Sequence, residues 1–434
     1  MVAAFILLAG CSDYSWFGGN AKPPLPGERI SVLMHEQELK PDPNLEAEKI
    51  LLPPPSPTAD WPQAGGYPNH AMHHLQVGGQ LRQVWSVNAG NGANSEELLI
   101  ASPIIAEGRV YVMDVDSRVS TFDANSGALL WRVGLTPDTE DDGHIGGGLG
   151  YAGKMIFAAT GFAQVIALNA ETGAQVWRQK VSAPLHVAPT IRGGRVFVVT
   201  IDNKLIALDM RDGSILWTHE GLAEVANVLG GASPAVDNGI VVTAYSSGEL
   251  VALKVDDGRV LWTESLSATR RRTGESSTLS HIRGRPIIDR DRVYALSHGG
   301  LMASFDLKSG QRIWDKDLGG LESPWIAGDF LFVITKESEL AALSRENGKI
   351  YWVLKLPKYS NPDDREGVIN WTGPLLTSDR LIVAGSHGIA MSISPYTGQI
   401  LGTEKMPAGV SVSPAVANQT VYFLSDSAEL IAYR

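Results

Sequence analysis

GALLW, residues Gly127–Trp131, returns along the chain as GAQVW (Gly173–Trp177), GSILW (Gly213–Trp217), GRVLW (Gly258–Trp262), GQRIW (Gly310–Trp314) and GKIYW (Gly348–Trp352). With Trp85 in the same phase, the set is Trp85, Trp131, Trp177, Trp217, Trp262, Trp314 and Trp352, spaced 46, 46, 40, 45, 52 and 38 residues apart. Self-similarity at such a period marks a repeat architecture, and the content of one repeat decides which architecture it is.

The unit 102–133 reads as SPII, a turn at Glu107-Gly108, RVYVMD, a turn at Asp116-Ser117, RVSTFD, the turn ANSG and then ALLWRV. These are four short runs rich in Val, Ile, Tyr, Phe and Trp, punctuated by Gly, Asp, Asn and Ser, which is the pattern of antiparallel strands. After residue 61 no segment carries a helical stripe over three turns, so helix-pair solenoids are excluded. The fold class predicted is all-β: an eight-bladed β-propeller of four-stranded antiparallel blades. The final unit ends at Arg434 one strand short, and 81–87, LRQVWSV, has no preceding blade. Pairing the two closes the ring and removes both edges.

The glycine ends a turn that uses positive φ, where a Cβ would be costly. The tryptophan sits on the outer strand, wedged between blades, with its indole N–H seeking a carbonyl. The seven tryptophans are therefore structural cement. Gly402 stands where the seventh unit lacks its tryptophan, which predicts a looser junction there.

The net charge is −11 over 434 residues, a poor match to nucleic acid, whose phosphates repel an acidic surface. Cys11 is the only cysteine, so neither an internal disulfide nor a thiolate cluster can form. It follows an apolar run ending Leu8-Ala9-Gly10. That segment resembles the lipobox of bacterial lipoproteins, which implies diacylation at Cys11. Ser12 in place of aspartate implies the outer membrane. The basic stretch of a signal peptide is missing, so the true start is expected upstream. The predicted layout is a truncated signal peptide at 1–10, a lipid-anchored, Pro-rich linker at 11–60 and the propeller at 61–434, with 81–87 completing the last blade.

No catalytic constellation is legible: there is no HExxH pair, no GxSxG elbow and no phosphate loop. The cluster His70, His73 and His74 could hold a metal weakly, but it reads better as an exposed polar loop, so no metal site is predicted. The Ala-Leu-Asp…Gly…Trp repeat is similar to that of pyrroloquinoline-quinone-dependent dehydrogenases, which implies a quinone held against a vicinal cysteine pair. One cysteine cannot supply that pair, so neither a cofactor nor an enzyme is expected. The lipobox, the proline-rich leader and the bare eight-blade ring together resemble the BamB family of the outer membrane β-barrel assembly machine. That resemblance implies a non-enzymatic, periplasm-facing scaffold. Its implied partners are the POTRA domains of a BamA-like protein, other Bam subunits and unfolded outer membrane proteins.

Two inter-blade connections are the docking candidates. Against the family's apolar docking stretch stand Ala226, Val228 and Leu229, and against its two acids stand His281 and Arg283. The second connection also carries Arg270, Arg271 and Arg272, an unusual basic run in an acidic chain. Arginine, with planar donors on an apolar stem, is favoured at interface centres. The alternatives are a quinoprotein-like enzyme, or a module for sugars or cell-wall polymers using Trp325, Trp371 and Tyr359, which fall outside the repeat phase.

Overall fold

The computed structural model describes residues 38–45, 48–140, 144–223, 230–266 and 281–434. One compact unit runs from Lys40 to Arg434. Its described strands form eight four-stranded antiparallel sheets. Blades 1 to 7 occupy 104–134, 148–180, 190–220, 235–265, 287–317, 325–355 and 371–405. Blade 8 uses 415–433 and takes its fourth strand from Gln83–Asn88, which pairs with Glu429–Tyr433. The ring closes as the truncated last repeat predicts. The first three strands of each blade are largely buried, whereas the fourth alternates with solvent, as in GALLW's strand Leu129–Gly134. Because every strand reverses direction, the first-to-second and third-to-fourth turns of all blades share one face.

On that face the repeat motif becomes a hook. Each of the seven indoles donates from Nε1 to a carbonyl in the third-to-fourth turn of the next blade, at 2.8–3.2 Å. The ring lies over that turn's glycine, so Trp177 covers Gly213 and Trp217 covers Gly258. A Cβ on any of the seven turn glycines would fall 2.6–2.9 Å from an indole atom. Their φ values of +69° to +76° give a second reason for glycine. The residue paired with each tryptophan on the third strand is Thr, Ala or Ser, as in Trp131↔Thr121 and Trp262↔Ala252, which leaves room for the indole. An aromatic on the second strand supports six of the seven rings at 5.8–6.2 Å, for example Phe197 beside Trp217. In blade 4 that position is Val242, and Trp262 packs on Phe305 of blade 5 instead.

Gly402 is the exception, and the closure explains it. Blade 8 borrows its fourth strand from the other end of the chain, so it has no third-to-fourth turn for an indole to cover. Ile400–Lys405 is accordingly exposed at every residue, and a Cβ on Gly402 would meet nothing within 4 Å.

The folded unit starts earlier than the expected boundary at residue 61. Ile50 is buried among Ala327, Phe330 and Phe332 of blade 6, and Asp42 N donates to Ile350 O at 2.8 Å. Prolines suit this stretch because it runs extended along the blades, without a ladder that needs every N–H. From Thr58 the chain then crosses the turn-bearing face as a strap that touches all eight blades in order. Thr58 O accepts from Asn418 N of blade 8, and Trp61 exchanges both backbone bonds with Ile105 of blade 1. Pro62 O accepts from Tyr151 N of blade 2, and the Gln63 amide brackets Ile191 of blade 3. Pro68 O and Asn69 O accept from Val236 and Ile288 of blades 4 and 5. His73 O takes the Trp325 indole of blade 6, and Leu75 bonds to Leu376 and Ser378 of blade 7. The strap satisfies inward-facing groups of first strands that would otherwise be left unpaired near the axis.

The three histidines of this segment are its fasteners, which corrects the expectation of an exposed loop. His70 is buried and its Nδ1 faces Pro286 O at 2.8 Å. His74 is buried between the carbonyls of Pro53 and Ser378. His73 Nε2 stands 3.4 Å from Asp289, the carboxylate that also pairs with buried Arg345.

Candidate partner-binding face

The opposite face carries the second-to-third turns and the long connections between blades. A pocket of about 220 Å³ opens there between blades 3 and 4. Its wall is mainly apolar, with Val187, Val199, Ile201, Ala232 and Ala244. Ile201 is 40% exposed at the rim, and Leu222, whose carbonyl Asn203 holds, is 64% exposed. These side chains stand on fixed backbone. Asn203 crosses from blade 3 to blade 4, giving Nδ2–H to Leu222 O at 2.7 Å and accepting from Ser246 N at 3.2 Å. Leu222 N in turn donates to Glu249 Oε2 at 2.7 Å. A rigid rim with an apolar floor suits an anchor side chain from another molecule, because little is left to order on binding.

The predicted docking residues separate here. Ala226, Val228, Leu229, Arg270, Arg271 and Arg272 lie outside the described residues, as does Cys11. His281 and Arg283 are described, and neither is a free surface group of the kind expected. His281 is 3% exposed and walls the pocket, with its carbonyl accepting from His298 N at 2.9 Å. Burial, with help from the nearby Arg283 and His298, pushes its pKa down to about 4, so the ring is neutral. Arg283 is half-buried against Gly230, where a Cβ would lie 3.3 Å from its Nε. The described end of this connection, His281 to Arg285, therefore faces inward.

Beside the pocket is the axial channel. Ala64 of the strap lies at one end of its cavity, which has a volume of about 80 Å³ and a polar lining. That is smaller than the ~300–1,000 Å³ typical of cofactor sites. The sole cysteine, Cys11, lies outside the described residues. Among the described residues no three His, Cys, Asp or Glu side chains gather at metal-binding distance. The aromatics proposed for sugar binding are committed to structure. Trp371 is buried and donates to Pro357 O at 2.8 Å, and Trp325 stacks on Trp61 at 6.3 Å. Tyr359 sits half-buried at the base of a hairpin, Tyr359–Asn361 with Glu366–Val368, which the repeat did not reveal.

The fold and this face define a propeller built for binding, with no assembled reaction centre among the described residues. A family model described as outer membrane protein assembly factor BamB matches residues 81–136 and 115–354, more than half of the chain. The chain belongs to the BamB family. It is 24% identical over 357 residues to the BamB of Moranella endobia, covering 81% of this chain and 89% of that one. The crystal structure of BamB from Moraxella catarrhalis is similar with a TM-score of 0.68 at 22% identity, covering 82% of this chain and 100% of that chain. A europium-containing methanol dehydrogenase also gives 0.68, at 14% identity over 88% of this chain and 90% of that chain. The ring is thus shared with enzymes, and ring geometry alone does not choose between binding and catalysis. The family match does.

Proposed function

We propose that the chain is a lipid-tethered scaffold of the outer membrane β-barrel assembly machinery that holds the POTRA domains of a BamA-like partner on its open face. The observation that carries this reading is the apolar pocket between blades 3 and 4, with Ile201 and Leu222 exposed on a hydrogen-bonded rim. One aliphatic or aromatic anchor filling it contributes ~1.5–3 kcal/mol. Partner strands can add backbone pairing at exposed edges of the ring. Arg270–Arg272 and the segment 226–229 are proposed as part of the same interface. Cys11 is proposed to carry the acyl chains on the periplasmic side of the outer membrane, and the ring to help deliver unfolded barrel proteins and to meet other assembly subunits.

Ile201→Asp puts a charge into the anchor pocket and is expected to lower capture of a BamA-like partner at least tenfold in pull-down titrations. Undiminished capture would remove the pocket from the interface. Cys11→Ser is expected to move the protein from the membrane pellet to the soluble fraction, and continued sedimentation with membranes would refute the anchor.

A further inference from the structure

The axial channel holds a charge arrangement outside the partner pocket. Arg283 and Arg285 both line its cavity, with Glu322 as the one carboxylate. Two guanidiniums against one carboxylate leave a positive excess at the centre of a chain whose net charge is −11. Glu322 Oε2 accepts the Thr372 hydroxyl at 3.1 Å, and its single charge balances only one of the two guanidiniums. Arg285 is anchored by its backbone N–H to Ser323 Oγ at 2.9 Å, yet its Nε is sealed from solvent and has no hydrogen-bond partner. A buried charged donor left unsatisfied costs more than an ordinary lost hydrogen bond.

The strap shapes the bottom of the same well. A Cβ on Gly65 would stand 2.9 Å from Arg285 Nε and from the His70 ring, so glycine gives the guanidinium its space. His70 Nε2 has no partner either. Burial, then the Arg285 charge, pushes the His70 pKa down to about 3, which keeps that ring neutral. Burial likewise depresses Arg285; the Glu322 carboxylate offsets this in part, Arg283 adds to it, and a bound anion would offset it further. Hydroxyls of Ser102, Ser413 and Thr372 complete a polar wall. A cavity of about 80 Å³ has room for a group of phosphate or carboxylate size with a few waters.

We propose that this strap-floored well binds one small oxyanion, carboxylate or phosphate, between Arg285 and Arg283, entering from the open face. The recognition is charge-assisted hydrogen bonding by guanidinium and hydroxyl donors. Such a site would let a free metabolite anion, or the acidic terminus of a bound segment, act on the partner pocket through Gly230 and Gly231, which line both cavities.

The test is calorimetric titration of the full-length protein at fixed ionic strength with sodium phosphate, sodium acetate or sodium chloride. The expected result is saturable one-to-one binding of phosphate or acetate, with no saturable heat from chloride. Whichever anion binds identifies the oxyanion. Arg283→Gln, at a half-buried position that does not brace the strap, is expected to weaken binding at least tenfold, and Arg285→Gln more. Arg259→Gln, on an exposed turn of the other face, should change nothing. Absence of saturable binding, or equal affinity in Arg283→Gln, would overturn the proposal. The titration needs no partner, so its failure is distinct from loss of capture in Ile201→Asp.

Discussion

On the strapped face every blade is tied into the ring by the 58–78 segment, and seven junctions are also hooked by an indole over a neighbouring glycine. On the opposite face the connections between blades leave a pocket of about 220 Å³ and the mouth of the channel. The two faces are made of the same repeat, so the difference comes from which turns meet there. Third-to-fourth turns are short and uniform, with one glycine geometry, and they can be hooked by a single residue type. Connections between blades must span from an outer strand back to the axis, and their length and composition vary freely. Stability therefore concentrates on one face, which leaves the other free to carry recognition.

The strongest way to break that comparison is to remove a hook. Trp262→Ala deletes a buried indole, its 2.8 Å bond to Leu307 O and its contact with Phe305. By analogy with large-to-small core changes it should cost ~3–5 kcal/mol. The reverse change, Gly402→Trp, has no turn of blade 8 to cover and should leave the unfolding free energy within ~0.5 kcal/mol of its starting value. Denaturant unfolding of both variants checks the pair. Comparable stabilisation by Gly402→Trp would show that the indole stabilises without a glycine turn beneath it.

The hooks were legible because they obey a spacing. Trp85 to Trp352 repeat at blade length, and the orphan strand at 83–88 could be matched to the gap in blade 8. The strap was not legible. Thr58–Val77 binds through main-chain atoms, which leave no residue-type signature, and the prolines just before it read equally well as spacer. His70, His73 and His74 looked like a loop because a polar run carries no mark of what it bonds to. His281 and Arg283 read as docking residues, whereas His281 is buried and Arg283 half-buried. Whether a residue between blades faces solvent or the axis depends on how the chain returns to the next first strand, and only the three-dimensional path decides that. Arg285 and Glu322, 37 positions apart, meet only through the ring itself.

Acid should attack the strapped face first. His70 has an unfolded pKa near 6.5 and a folded value of about 3. The unfolded chain therefore binds a proton below pH 6.5 that the folded chain refuses, so stability is complete above that pH and falls as pH is lowered. At ~1.4 kcal/mol per unit of pKa difference, His70 alone accounts for about 3 kcal/mol lost by pH 4. His281, lowered to about 4, acts in the same direction. Thermal midpoints between pH 7 and 4 should fall steeply in the wild type and less steeply in His70→Asn, whose amide can still reach toward Pro286 O. Parallel slopes in the two proteins would assign the acid sensitivity elsewhere.

Turn glycines sharpen the contrast at a smaller scale. Gly213→Ala places a Cβ at φ +76° and 2.6 Å from Trp177, so both strain and collision oppose it. A loss of ~1–3 kcal/mol is expected, whereas Gly402→Ala should be neutral or slightly stabilising because it restricts the unfolded chain. Small, too, should be the stability effect of Ile201→Asp on the open face. That side chain is already 40% exposed, and Asn203 holds the rim without it. Less than ~1 kcal/mol should separate it from the wild type, even though capture of the partner collapses. If Ile201→Asp unfolded the ring as readily as Trp262→Ala does, the pocket would be part of the cement, and the division of labour between the two faces would have to be given up.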